Sequence, residues 1–240
     1  MLQPNRAILR QYRQIAVLVS LAFATAVCLG LLALRVTYSH RLEYTYLAWN
    51  LFLAWLPMLC ALAAYNAGKR RTRLSWLVVA GCALAWLLFF PNAPYLLTDI
   101  LHLQPRADAP LWFDLVLILA FAWTGFMLGL ISLVLMQALV RRAAGAAASW
   151  AFAVAVLGLT GFGIYLGRFL RWNSWDVFFS PGSLLADMIQ PLLHPIVHAR
   201  TIAFSGLFSL FLVSAYLMIV ALTHLQAETL PAADETPEPH

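Results

Sequence analysis

Charge is what this chain has least of. Asp, Glu, Lys and Arg together make up 10% of its 240 residues while 63% are hydrophobic, against about 25% charged and 45–50% apolar in an ordinary soluble domain. With a mean hydropathy of +0.82, a water-soluble globule is excluded. The three cysteines, Cys28, Cys60 and Cys82, each lie inside an apolar run and none has CxxC spacing. A disulfide framework and a cysteine metal knuckle are therefore excluded, and the thiols act as small hydrophobes. The common soluble catalytic motifs are missing too: no GxSxG, no P-loop, no HExxH and no glycine-rich dinucleotide fingerprint. Ten-residue alternation of the barrel-strand kind is absent, as is an internal repeat that would suggest an inverted-repeat transporter. The net charge of +5 sits in short basic clusters between apolar runs rather than along one soluble face, so nucleic acid is excluded as a partner.

What the chain does have is apolar length. Six runs reach the dimension of a bilayer, at 15–34, 46–65, 74–90, 112–140, 150–166 and 202–222. In hydrocarbon each backbone amide must be satisfied within its own segment, so the runs are helices and the expected fold class is all-α, a polytopic bundle of six membrane helices. The first run follows Arg6, Arg10 and Arg13 but is too long for the core of a signal peptide and is followed by no small-residue cleavage site, so it is expected to remain as an anchor. Nine of the fifteen Lys and Arg residues (Arg6, Arg10, Arg13, Lys69, Arg70, Arg71, Arg73, Arg141 and Arg142) fall in alternate connections. The positive-inside tendency then places both termini in the cytoplasm. The expected organisation is a cytoplasmic start at 1–14, a membrane domain at 15–223, and a disordered acidic tail at 224–240.

The opposite, outer side gathers the unusual polar residues, beginning with the stretch FFPNAPYLLTDILHL at 89–103. Pro91 and Pro94 each remove a backbone donor and disfavour helix geometry in the residue before them, so a break is expected here. Around it stand Asn92, Tyr95, Asp99 and His102, then Asp114 at the start of the fourth run, and Arg168, Arg171, Asn173 and Asp176 at the end of the fifth. Ionisable groups at membrane depth face a cavity, pair with one another or mark a site. Arg168 and Arg171, spaced i, i+3, run against the positive-inside tendency. They suit phosphate or carboxylate, or pairing with Asp176, Asp114 or Asp99, or contact with lipid headgroups.

A metal is the other chemistry these residues suggest. Asp99 and His102 are spaced i, i+3, and His194 and His198 i, i+4 with Pro195 suited to a first helical position. One carboxylate and three imidazoles make a tetrahedral set for zinc or a related divalent ion, if the two segments meet.

Between the fifth and sixth runs, Ser183 is expected to cap a short interfacial helix. Its Leu184, Leu185, Met188, Ile189 and Leu192 share one face, while Asp187 and Gln190 lie elsewhere. Such a helix either lies on the outer surface or folds over the mouth of the bundle. Gly125 with Gly129, and Gly163 with Gly167, sit at the spacing of close helix packing. Pro57 is expected to kink the second span, and Asn50 to bond to a neighbouring helix.

The segments at 89–103, WFD at 112–114, FAWTG at 121–125 and GIYLGRFLRWNSWD at 163–176 resemble a family of predicted bacterial membrane proteins grouped as a domain of unknown function, family number 1361. The resemblance runs from about residue 44 to 222. It implies a bacterial inner-membrane protein with several spans and carries over no activity. Three expectations follow: an outward-facing pocket of Asn92, Tyr95, Asp99, His102, Asp114, Arg168, Arg171, Asn173 and Asp176 for a small anionic or polar ligand or a lipid headgroup; a membrane-embedded metal hydrolase on Asp99, His102, His194 and His198; or a non-catalytic assembly partner locked by its polar cluster. The lipid bilayer is the one partner common to all three.

Overall fold

A computed structural model describes residues 6–70 and 72–229. Among them there are helices and connecting turns but no strand, as the hydrocarbon argument requires. The order is α1 (Arg6–Ser39), α2 (Tyr46–Ala67), α3 (Arg73–Phe89), a single turn α4 (Asn92–Tyr95) continued by a 3-10 segment (Leu96–His102), α5 (Leu111–Phe169), the short α6 (Asp176–Phe179), α7 (Pro181–Leu193) and α8 (Ala199–Thr229). Among the described residues five stretches are long and apolar enough to cross a membrane: Gln14–Ser39, Tyr46–Ala67, Arg73–His102, Leu111–Phe169 and Ala199–Thr223.

The fourth and fifth apolar runs belong to one element of 59 residues, α5. A straight helix of that length would extend roughly 90 Å, three times the hydrocarbon thickness. It does not run straight, because Gly145 has φ 86° and ψ 178°, a backbone state essentially confined to glycine. Beyond it the chain returns: Ala153, Val156 and Leu157 of the second arm (146–169) share one buried cluster with Phe126, Leu130, Leu133 and Met136 of the first (111–144). The first arm is the centre of the molecule. Its Leu117, Ile118, Phe121 and Leu128 pack with α1 and α2, and its later residues with Trp86 and Phe90 of the α3 end and Leu212 and Tyr216 of α8.

Several local expectations are corrected. Phe90, ahead of Pro91, keeps helical dihedrals (φ −55°, ψ −41°), and Ala93, ahead of Pro94, lies within α4, so the prolines bend the chain without extending it. Two carbonyls at this bend are served by side chains instead. Phe89 O accepts from Asn92 Nδ2 at 3.0 Å and Leu88 O from Ser174 Oγ at 3.3 Å, which is how a proline elbow is tolerated where water is scarce. Helix α7 starts at Pro181, so Ser183 is inside it rather than its cap. His194 closes α7 and residues 195–198 form a turn before α8, so Pro195 does not open a helix. Helix α8 continues to Thr229, six residues into the segment expected to be tail, and 230–240 lie outside the described residues.

The four spaced glycines all receive the proline elbow. A Cβ on Gly125 would lie 2.8 Å from Ala93 O, and one on Gly129 3.1 Å from Ala93 Cβ. On the second arm, a Cβ on Gly163 would lie 3.3 Å from Pro91 Cγ, and one on Gly167 3.3 Å from the Tyr95 ring. The close packing expected of these glycines is therefore directed at the elbow, which is wedged between the two arms of α5.

Candidate functional site

The elbow delivers Tyr95, Thr98, Asp99 and His102 to the end of the second arm, where Arg168 meets them. Arg168 Nη2 donates to Asp99 Oδ1 at 2.5 Å, and Nε and Nη2 donate to Thr98 Oγ1 at 2.9 and 2.7 Å. Its guanidinium carbon lies 4.3 Å from the Tyr95 ring centroid, and Nη1 is 3.2 Å from His102 Nδ1. Asp99 is 1% exposed and its second oxygen accepts from Asn50 Nδ2 at 3.1 Å. The short 3-10 segment explains why Asp99 and His102 share a face, since residues three apart eclipse in that helix. A buried carboxylate is thus matched by a guanidinium and an amide, the arrangement a buried charge requires.

Asp114 is in a different cluster. Its Oδ1 accepts from Arg35 Nε at 2.6 Å and its Oδ2 from Tyr44 OH at 3.2 Å. Arg35, 2% exposed, also reaches Asp108 at 3.3 Å, and Arg106 pairs with Glu43 and covers the Tyr44 ring. This second knot ties the end of α1 to the start of α5. Desolvation alone would raise the Asp108 carboxyl, but hydrogen bonding within its own backbone and the Arg35 guanidinium hold it below its ordinary 3.8. Burial, followed by the Asp114 charge, pushes the Tyr44 phenol from 10.0 up to about 12.

The cavity lies beside the first knot. It has a volume of about 250 Å³ and is bounded by Asn50 and Trp49 of α2, Pro91, Asn92 and Tyr95 of the elbow, Gly163 and Gly167 of α5, Trp172, Asn173 and Ser174, and Leu184 and Met188 of α7. Of the candidate ligand residues, Asn92, Tyr95 and Asn173 line it. Asp99, His102 and Arg168 form the ionic knot, Asp114 the separate clamp, and Asp176 accepts from the Asn173 backbone N–H at 2.6 Å. Arg171 is exposed and takes the left-handed turn (φ 61°) that ends α5. Helix α7 is anchored over the cavity by Trp172 Nε1, which donates to Asp187 Oδ2 at 2.8 Å.

The metal set does not assemble. Among the described residues no group of three or more His, Cys, Asp or Glu converges in a way that could hold a metal ion; Asp99 and His102 approach to 3.7 Å, and His194 and His198 do not join them. Asn50, Thr98, Ser174, Arg35 and Tyr44 are the residues that reasoning from sequence left out of the site. Asn50 offered a signal, a lone amide within an apolar span. Thr98, next to Asp99, offered none beyond its position.

The family model described as Protein of unknown function (DUF1361) matches residues 49–215. The chain belongs to this family. No curated protein and no solved structure matches it. The matched stretch of this DUF1361 protein contains the elbow, both arms of α5, α7 and the whole cavity lining, from Trp49 to Met188.

Proposed function

We propose that this DUF1361 protein is a multi-pass protein of the bacterial inner membrane whose cavity binds a small, uncharged polar group presented from the outer side. The carrying observation is the lining. The Asn173 amide, the Tyr95 hydroxyl and the side-chain carbonyl oxygens of Asn50 and Asn92, whose amide nitrogens are engaged by Asp99, Phe89 O and Ser174, stand among Trp49, Leu53, Leu166 and Leu184, the mixture of apolar wall and few polar groups that small-molecule sites use. The arginine best placed to attract an anion, Arg168, is already committed to Asp99 and Thr98. An uncharged ligand therefore suits the cavity better than an anionic one.

The proposed topology has six spans, with α5 counted twice and Gly145 at its cytoplasmic turn. Two of the three basic clusters support this orientation, because they meet at one end: Arg142 Nη2 donates to Tyr65 OH at 2.8 Å and Lys69 Nζ lies 5.0 Å from the same ring. At the other end α6, α7 and the turn at 195–198 form an interfacial cover, with Phe178, Phe179, Ile196 and Val197 strongly exposed. The knots of Arg168 with Asp99 and Arg35 with Asp114 act as structural locks on either side of the cavity.

Native mass spectrometry of the full chain in a mild detergent tests the binding. The wild type is expected to release a bound small molecule or lipid on activation, and Asn173→Leu and Val177→Trp, which remove a polar lining group and fill the cavity from its exposed rim, are expected to lose it. Equal adducts in all three, or none in the wild type, would contradict the proposal.

A further inference from the structure

A second cavity adjoins the first. It has a volume of about 450 Å³ and lies between the second arm of α5, α7 and the start of α8, lined by residues such as Leu159, Phe162, Leu185, Ile189 and Ile202. Met188 lines both cavities, with Leu184 facing the polar one and Leu185 the apolar one. Helix α7 thus lies across a polar chamber and an apolar groove that meet beneath one side chain. On the second arm the two linings occupy adjacent faces, Gly163, Leu166 and Gly167 on one and Gly158, Leu159 and Phe162 on the other, their centres about a quarter turn apart at 100° per residue.

The groove glycines differ from the packing glycines. At Gly161 a Cβ would come within 2.6 Å of Ser205 O, so that glycine is where α5 and α8 touch. At Gly158 and Gly206, both of which line the groove, a Cβ would meet nothing within 4 Å. Their missing side chains leave open volume rather than permitting helix contact. Ser205 adds a second observation: its Oγ is shielded from solvent and, among the described residues, has no hydrogen-bond partner, although it lines this largely apolar groove, where Thr201 and Ser209 are the other hydroxyl residues. A buried hydroxyl without a partner is costly, and a ligand oxygen beside it would remove the cost.

We infer that the two cavities form one site for an acyl lipid with an uncharged, hydroxyl- or amide-bearing headgroup, the headgroup in the polar chamber and the acyl chain in the groove. This rests on the polar-chamber proposal above and names its ligand class. A groove in the wall of a membrane helix bundle is exposed to acyl chains as a soluble groove is to water, and an apolar lining with no charged side chain recognises only such a chain. Within the groove, Ser205 Oγ is suited to donate to an ester or amide carbonyl of the lipid.

Photolabelling tests this. Full-length protein is reconstituted in phosphatidylcholine vesicles containing a monoacylglycerol with a diazirine on its acyl chain, and labelled peptides are mapped. Saturable labelling is expected at 158–162 and 201–209. Gly158→Leu and Gly206→Leu, which add bulk to the groove from positions where a Cβ meets nothing within 4 Å, should lower it at least fivefold while unfolding temperature stays within a few degrees, and Asn173→Leu should weaken it about tenfold. Labelling equal to wild type in both glycine variants overturns the inference. If those variants label normally while Asn173→Leu still loses the adduct seen by mass spectrometry, the lipid assignment fails and the polar chamber stands. If the groove variants lose labelling and Asn173→Leu and Val177→Trp do not, the two-part site is overturned at its polar end.

Discussion

Arg168 replaced by methionine would keep most of the side chain's length and leave Asp99 buried without its charge partner. Removing one member of a buried ion pair costs about 3–5 kcal/mol, so Arg168→Met is expected to lower detergent unfolding temperature markedly, and adding Asp99→Leu should recover most of the loss. Thermal unfolding of the single and double variants measures this; a double variant as unstable as the single one would contradict a pairwise lock. Arg171 behaves oppositely. It occupies a left-handed position where glycine carries no Cβ penalty, so Arg171→Gly should stabilise by about 1 kcal/mol, read from the same unfolding experiment. The clamp at Asp108 and Tyr44 gives a pH signature. The Asp108 carboxyl lies below its ordinary value, so its contribution is complete above pH 3.8 and is lost as pH falls through the lower folded-state value. Tyr44 is raised to about 12, so its contribution is complete below pH 10 and is lost as pH rises from 10 towards 12. Unfolding temperature across pH, compared with Asp108→Asn and Tyr44→Phe, should show the acid and alkaline losses flatten respectively.

Among the elements, the proline elbow and the α5 hairpin decide the architecture. At Gly145 a Cβ would meet open space, so Gly145→Ala tests the backbone alone. The left-handed state should cost about 1–3 kcal/mol, seen as a lower unfolding temperature with no change in cavity ligand. The long apolar elements were legible from sequence because hydrocarbon leaves the backbone a single solution. Their ends were less so. A connection between the runs at 112–140 and 150–166 was marked by Arg141 and Arg142, but its turning residue lies in AAGAAA with no proline to single it out, and the prolines at 91 and 94 looked like a clean break because their effect on the preceding residue is a tendency that packing overrides. Here Gly125, Gly129, Gly163 and Gly167 admit the elbow so closely that Phe90 and Ala93 remain helical.

At the scale of the whole molecule, the sequence identified the polar end of the bundle but could not divide its residues among sites. Arg168 and Asp114 are both ionisable and both near one face, yet the register of α1 against α5 gives Asp114 to Arg35, while the elbow gives Asp99 to Arg168. Only three-dimensional packing separates the two knots from the neutral cavity between the elbow and α7. The spacing of His194 and His198 was a local regularity with no means of stating its distance from Asp99. The most direct test of the polar cavity is a single-particle map of the full chain in lipid nanodiscs. The account predicts non-protein density bounded by Asn92, Tyr95 and Asn173 beneath Leu184 and Met188; a cavity closed by α7, with those two side chains occupying its volume, would contradict it.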